Sequence, residues 1–176
     1  MNLYHAGKLV IREPELSRGR KNADFGQGFY LTPDRDFTFR WAGRDAVINR
    51  YELDTDGMSV RRFERDADWF DYIIRNRRMQ DSLSVDVVIG PIANDTLFDT
   101  FGIMSSGFLT TEQALKLLEI GPEYTQVAVK TERALRQLRW LGVEDVGQID
   151  ADMLAREREE YSLAFGTVLH ELLGED

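Results

Sequence analysis

The sequence predicts an α+β fold, and three observations carry that expectation. Strand-like runs, alternating or continuously apolar, recur at 3–11, 29–32, 51–60, 85–91 and 124–129. Segments with helical apolar spacing and cap residues lie among them. The composition suits one folded body: 176 residues, 43% hydrophobic and 30% charged, with no internal repeat, low-complexity tract or long linker.

The elements follow in order. Leu3 to Ile11 reads as an opening strand or two, stopped at Arg12-Glu13-Pro14, because the residue before a proline is pushed to extended geometry. Ser17 to Asn22 is polar, basic and glycine-containing, and so a loop. In Asp24-Phe25-Gly26-Gln27-Gly28-Phe29-Tyr30-Leu31-Thr32 two glycines form a turn that feeds a β-prone run. A helix is expected from Pro33 or Asp34, with Thr32 as N-cap and Phe37, Trp41, Val47 and Ile48 at rough helical spacing. Strands at 51–53 and 58–60 flank the turn Asp54-Thr55-Asp56-Gly57. Asp66 or Asp68 begins a second helix with Trp69, Phe70, Ile73 and Ile74 on one stripe. Val85 to Pro91 reads as a buried strand, Thr110 or Thr111 as the cap of a helix to Glu119, Tyr124 to Val129 as a strand, and Thr131 as the cap of a helix through Trp140. From Asp150 to Leu173 the residues Leu154, Tyr161, Phe165, Val168 and Leu172 mark an amphipathic helix that must pack on the body or on a partner.

Composition excludes several chemistries. The chain has no cysteine, which removes disulfides, thiolate nucleophiles and Cys-ligated metal. His5 and His170 are its two histidines, too far apart in sequence to suggest a His-based site. The net charge of −9 disfavours nonspecific binding to nucleic acid or anionic lipid. That charge is uneven: residues 1–80 carry 15 Lys/Arg against 13 Asp/Glu, and residues 81–176 carry 7 against 18. A polyanionic small molecule therefore suits the first half better. The N-terminus lacks the basic and apolar regions of a signal peptide, and no apolar run approaches the roughly 20 residues of a membrane span. The expected compartment is the cytoplasm, with no membrane partner.

Two segments carry the chemistry: Leu3-Tyr4-His5-Ala6-Gly7, and Phe25-Gly26-Gln27-Gly28-Phe29-Tyr30 followed by Thr38 and Trp41. They resemble the first two signature motifs of the ADP-ribosyltransferase superfamily, in its poly-ADP-ribose-polymerase-like branch. More closely, the chain resembles a bacterial family of unknown function related to that branch. The likeness extends to Asn76-Arg77, to Asp86 to Pro91 with Asn94-Asp95, and to Gln126 to Leu138. It implies a split β-sheet with flanking helices over residues 1–140, followed by a helical part over 141–176 that packs on the domain or on a partner.

The resemblance also implies roles. NAD would be the substrate, with no metal. His5 would meet an adenine-ribose hydroxyl, and the backbone of Ala6, where the superfamily usually has glycine, would pair with the nicotinamide carboxamide. Tyr30 would stack on the nicotinamide ring, a contact of about 0.5–2 kcal/mol. Thr38, eight residues on, would bond the carboxamide, and Trp41, eleven residues on, would close the aromatic clamp. Arg18 in the basic loop would reach the pyrophosphate. Gln126 stands where many of these transferases have glutamate, completing a His5, Tyr30, Gln126 triad. An amide there carries no charge, so transfer of a single ADP-ribose is favoured over chain elongation, and a carboxylate at 126 is expected to preserve or raise the rate. The acceptor would be protein or nucleic acid, and an inhibitory or cognate protein partner and a toxin-like role belong to the same implication. The alternatives are an NAD glycohydrolase and a catalytically dead module that binds an NAD derivative or another protein. Asp95, Asp99 and Glu112 read as a solvated acidic face rather than a metal cluster, and Ser82, Ser84, Ser105 and Ser106 lack a nucleophile's partners.

Overall fold

Two β-sheets meet at a backbone bridge between Tyr4 and Thr32 in the computed structural model, which describes residues 1–41, 46–93, 109–146 and 151–174, the side chains of Trp41 and Ala151 excepted. The first sheet has the order β1 (Asn2–Gly7), β3 (Val47–Leu53), β7 (Leu138–Asp145), all antiparallel. The second has the order β2 (Phe29–Leu31), β6 (Thr125–Val129), β5 (Val87–Pro91), β4 (Val60–Arg62), in which only β4 and β5 run parallel. Five helices accompany them among the described residues: α1 (Thr38–Trp41), α2 (Ala67–Arg77), α3 (Thr111–Leu118), α4 (Glu132–Leu135) and α5 (Ala151–Leu173). The fold is mixed α+β, and no described helix is long and apolar enough to cross a membrane.

Alternation along the central strands of the second sheet divides the core. Val88 and Ala128 point to one face and pack with Phe25, Trp69, Phe70 and Ile73. Their neighbours Val87, Ile89, Val127 and Val129 point to the other and pack with Leu3, Phe29, Leu31, Tyr51 and Leu53. Both faces being covered, β5 reads as the continuous apolar run seen in the sequence. The Asp66 carboxylate caps α2 by accepting from the Trp69 amide, and Thr110 and Gln113 form a reciprocal capping box on α3.

Two expected helices are shorter than the sequence predicts, and the residues at their far ends lie in strands. The helix expected from Pro33 reduces to a single 3-10 turn at Arg35–Phe37 and the four residues of α1, while Val47 and Ile48 open β3. In β3, which pairs with β1 and β7, Ile48, Tyr51 and Leu53 are fully buried, so strand pairing and burial prevail over a loose helical spacing. Thr32 is no N-cap: its hydroxyl accepts from the Asp34 amide and donates to the Thr125 carbonyl, tying the turn to β6. Thr131 does cap a helix, but α4 ends at Leu135, and Leu138 to Asp145 pairs with β3. Because β7 crosses residue 140, residues 141–145 complete a sheet and the helical part begins at Ala151. The opening strand stops at Gly7. The chain beyond it is pinned to β3 by Asn49, whose side chain joins the Ile11 amide and the Leu9 carbonyl, and by the Tyr51 hydroxyl donating to the Ile11 carbonyl.

Candidate functional site

The site is built where β1 and β2 part. Tyr4 and Thr32 exchange both backbone hydrogen bonds, at 2.8 and 2.9 Å, and the pairing ends there. The next pair in an antiparallel ladder would be Ala6 with Tyr30, since backbone groups two residues apart point to the same edge. Instead the His5 imidazole takes the Tyr30 carbonyl, with Nδ1 2.8 Å from it. The strands are thus spread by a side chain, and the N–H and C=O of Ala6 lie on the open edge.

That bond fixes the tautomer. A carbonyl only accepts, so Nδ1 carries the proton and Nε2 presents a lone pair. Burial pulls the His5 pKa below its ordinary value, outweighing the Tyr30 contact, and keeps the ring neutral. The imidazole stacks on Phe29 at 4.8 Å between ring centres.

Tyr30 is locked at its far end. Its hydroxyl donates to the Gly26 carbonyl at 2.7 Å and accepts from the Phe25 amide at 2.8 Å, inside the turn that the two glycines make. Gly26 has φ +77°, which favours glycine, and a Cβ there would lie 2.3 Å from an Asp81 carboxylate oxygen. Asp81 is held in turn by Tyr72 and Lys130. Burial, the largest influence, pushes the Tyr30 phenol pKa up, so it offers a ring and no proton chemistry near neutrality.

The turn that carries Thr38 is anchored on both sheets. Arg35 pairs with Glu144 of β7, which also accepts from Arg50 of β3 at 2.7 Å, and Phe37 packs on the Tyr124 ring. Asp34 accepts from the Thr125 amide at 2.8 Å. Thr38 is fully buried and donates its hydroxyl to the Arg35 carbonyl, which leaves that oxygen an acceptor. Trp41 ends α1, and its side chain lies outside the described residues, as do Asn94, Asp95, Asp99, Ser105 and Ser106. Arg18 is largely exposed and pairs with Glu15.

Gln126 is buried on β6, two residues from the Ala128 that pairs with Tyr30. Its Nε2 donates to Asp24 Oδ2 at 3.1 Å and to the Pro91 carbonyl at 3.2 Å. Asp24 is clamped from α2: Arg77 reaches its carboxylate at 2.7 Å and the Asn76 amide donates to its carbonyl at 2.9 Å. A carboxylate at 126 would face an anion and a carbonyl, two acceptors, with nothing to donate.

The structure therefore joins His5 to Tyr30 directly, and places Ala6 on the same open edge. It sets Gln126 on the strand beside Tyr30, and leaves Arg18 in contact with no other candidate. Asp24 was not singled out from sequence, although it opens the Phe25-Gly26 block, because its partner lies 102 residues away. A recess of about 300 Å³ lined by Leu16, Gln27, Asp81, Leu83, Lys130 and Thr131, among others, includes none of the candidate residues. No group of residues able to hold a metal ion occurs among the described residues.

Comparison with curated proteins gives no match. A family described as a protein of unknown function (DUF3990) matches residues 1–140, a span that includes every candidate site residue.

Proposed function

The chain belongs to the DUF3990 family, and from the geometry inside the matched span we propose that it is an NAD-dependent ADP-ribosyltransferase that moves a single ADP-ribose to a macromolecular acceptor. The observation that carries this reading is the parting of β1 and β2 by His5, which leaves the Ala6 N–H and C=O beside Tyr30 with no strand to pair them. A nicotinamide carboxamide complements that edge. Its carbonyl would accept from Ala6 N–H, and its NH2 would donate to the Ala6 carbonyl; Thr38, expected to share that NH2, has no exposed surface here. The Tyr30 ring would flank the nicotinamide, and His5 Nε2 would accept from a ribose hydroxyl. No metal is needed in this scheme.

Transfer would break the bond between the ribose anomeric carbon and the pyridinium nitrogen, nicotinamide leaving with the electron pair. A nucleophile of the acceptor would then bond that carbon and lose its proton. Among His5, Tyr30 and Gln126 no carboxylate stands ready to take that proton, which favours slow, single transfers. The same observation favours a second reading, a module that binds NAD or a derivative without turnover.

Incubation of the protein with labelled NAD and cell lysate separates the readings. Labelled macromolecules together with free nicotinamide support transfer. Nicotinamide without label means hydrolysis, and NAD binding with neither product means the module.

A further inference from the structure

Gln126, Asp24 and Arg77 form a chain of donors and acceptors that is directional. Pro91 O already accepts from the Trp69 indole at 3.1 Å and Asp24 Oδ2 is anionic, so both groups facing the Gln126 amide accept. Turning the amide over would set its oxygen against two acceptors, so chemistry fixes the orientation independently of how the two amide atoms are assigned. Both Nε2 protons are thereby used within the protein, and no donor meets Oε1 among the described residues. Gln126 is 3% exposed, and the Asp24 and Arg77 side chains are 14% and 13% exposed.

We propose that Asp24, held by Arg77, is a positioning residue that orients the Gln126 amide, so that position 126 serves the protein as a donor and a ligand only as an acceptor. A bound molecule must then present a donor, such as a sugar hydroxyl, to Oε1. The identification of that sugar with a ribose of NAD rests on the reading above, whereas the orientation does not. Arg77 on α2 and Tyr30 on β2 face the Asp24 carboxylate, and Asp81 with Lys130 stands across the Gly26 turn.

The test is a double-mutant cycle of wild type, Asp24→Asn, Gln126→Glu and the double variant. Each is melted at pH 5 and pH 8 without ligand and titrated with NAD by calorimetry. Gln126→Glu sets two carboxylates together, so its melting temperature should fall by roughly 5 °C or more at pH 8, and by less at pH 5, where a shared proton relieves the repulsion. Adding Asp24→Asn supplies a donor to the new carboxylate and should recover at least about half of that loss, the residue being the contact with Pro91. NAD affinity should fall about tenfold in Gln126→Glu and return to within about threefold in the double variant. Additive melting shifts would overturn the proposal. So would rescued melting with NAD affinity still lost, since Asp24 would then serve the fold alone. A wild type that binds no NAD would sink the NAD reading, while non-additive melting would still support the oriented amide.

Discussion

His5 is both a wedge between strands and a titratable group, so its two properties are testable together. Burial lowers its folded pKa below the ordinary value of 6.5. Its contribution to stability is therefore complete above 6.5 and is lost as pH falls from there toward the folded value. Glu144 behaves similarly in a lower window: hydrogen bonds from Arg50 and then Arg35 lower its pKa, and its contribution is lost as pH falls through the folded value. Urea unfolding from pH 8 to pH 5 should show declining stability in wild type and a flatter profile above pH 5.5 in His5→Gln. An undiminished slope in the variant would place the titration elsewhere. Tyr30→Phe keeps the ring and removes both hydroxyl bonds in the Gly26 turn; it should cost about 1–3 kcal/mol on denaturation while NAD affinity stays within about threefold of wild type. Tyr30→Ala should lose both, and a Tyr30→Phe variant of unchanged stability would mean the turn holds itself. At this scale the sequence marks His5 and Tyr30 as candidates because their motifs are local, and the structure puts the two in contact. Asp24 and Arg77 were not, because their meaning depends on an amide brought from β6 by folding.

The elements tell the same story through range. Helices with a cap and a stripe, such as α2 and α3, were legible to within a residue or two of their caps, Asp66 rather than Asp68 and Thr110 rather than Thr111. Val47-Ile48 and Leu138 to Trp140 were read as helix because their pattern is short and their partners are strands far along the chain. Thr131 shows how much one cap does here: it accepts from the Ala134 amide and donates to Asp86, whose carboxyl it holds low with help from Ser59. Thr131→Ala should therefore destabilise by about 1–3 kcal/mol in urea, above the usual cost of a lost cap, and a loss within 0.5 kcal/mol would mean that water replaces it. The long helix α5 leans on the body through Glu157 with Arg40, and through Tyr161, which packs on Gly121 where a Cβ would come within 3.1 Å. Truncation after Gly147 should lower the melting temperature or change the mass in sedimentation. A truncated chain unchanged in both would show that α5 contributes neither packing nor association.

At the scale of the whole molecule, two sheets share a core yet, among the described residues, exchange backbone bonds only at Tyr4 and Thr32. Hydrogen exchange should report that seam directly. The Ala6 amide, on the open edge, should exchange at least tenfold faster than the Tyr4 amide and slow on addition of NAD. Equal protection of the two without ligand would contradict the open edge. The strand order has a further consequence, for how the chain comes to fold. β1 pairs with β3, which pairs with β7, and β2 reaches β5 only through β6, so neither sheet closes until residues 125–145 are present. Loop-closure entropy must be met before such distant pairings stabilise anything, which places refolding in the range of about milliseconds to seconds rather than microseconds. The candidate site's first two motifs lie on β1 and β2, about a hundred residues before the strands β6 and β7 that complete their sheets. Until β6 and β7 pair, β2, β3 and β5 each keep an unpaired strand edge.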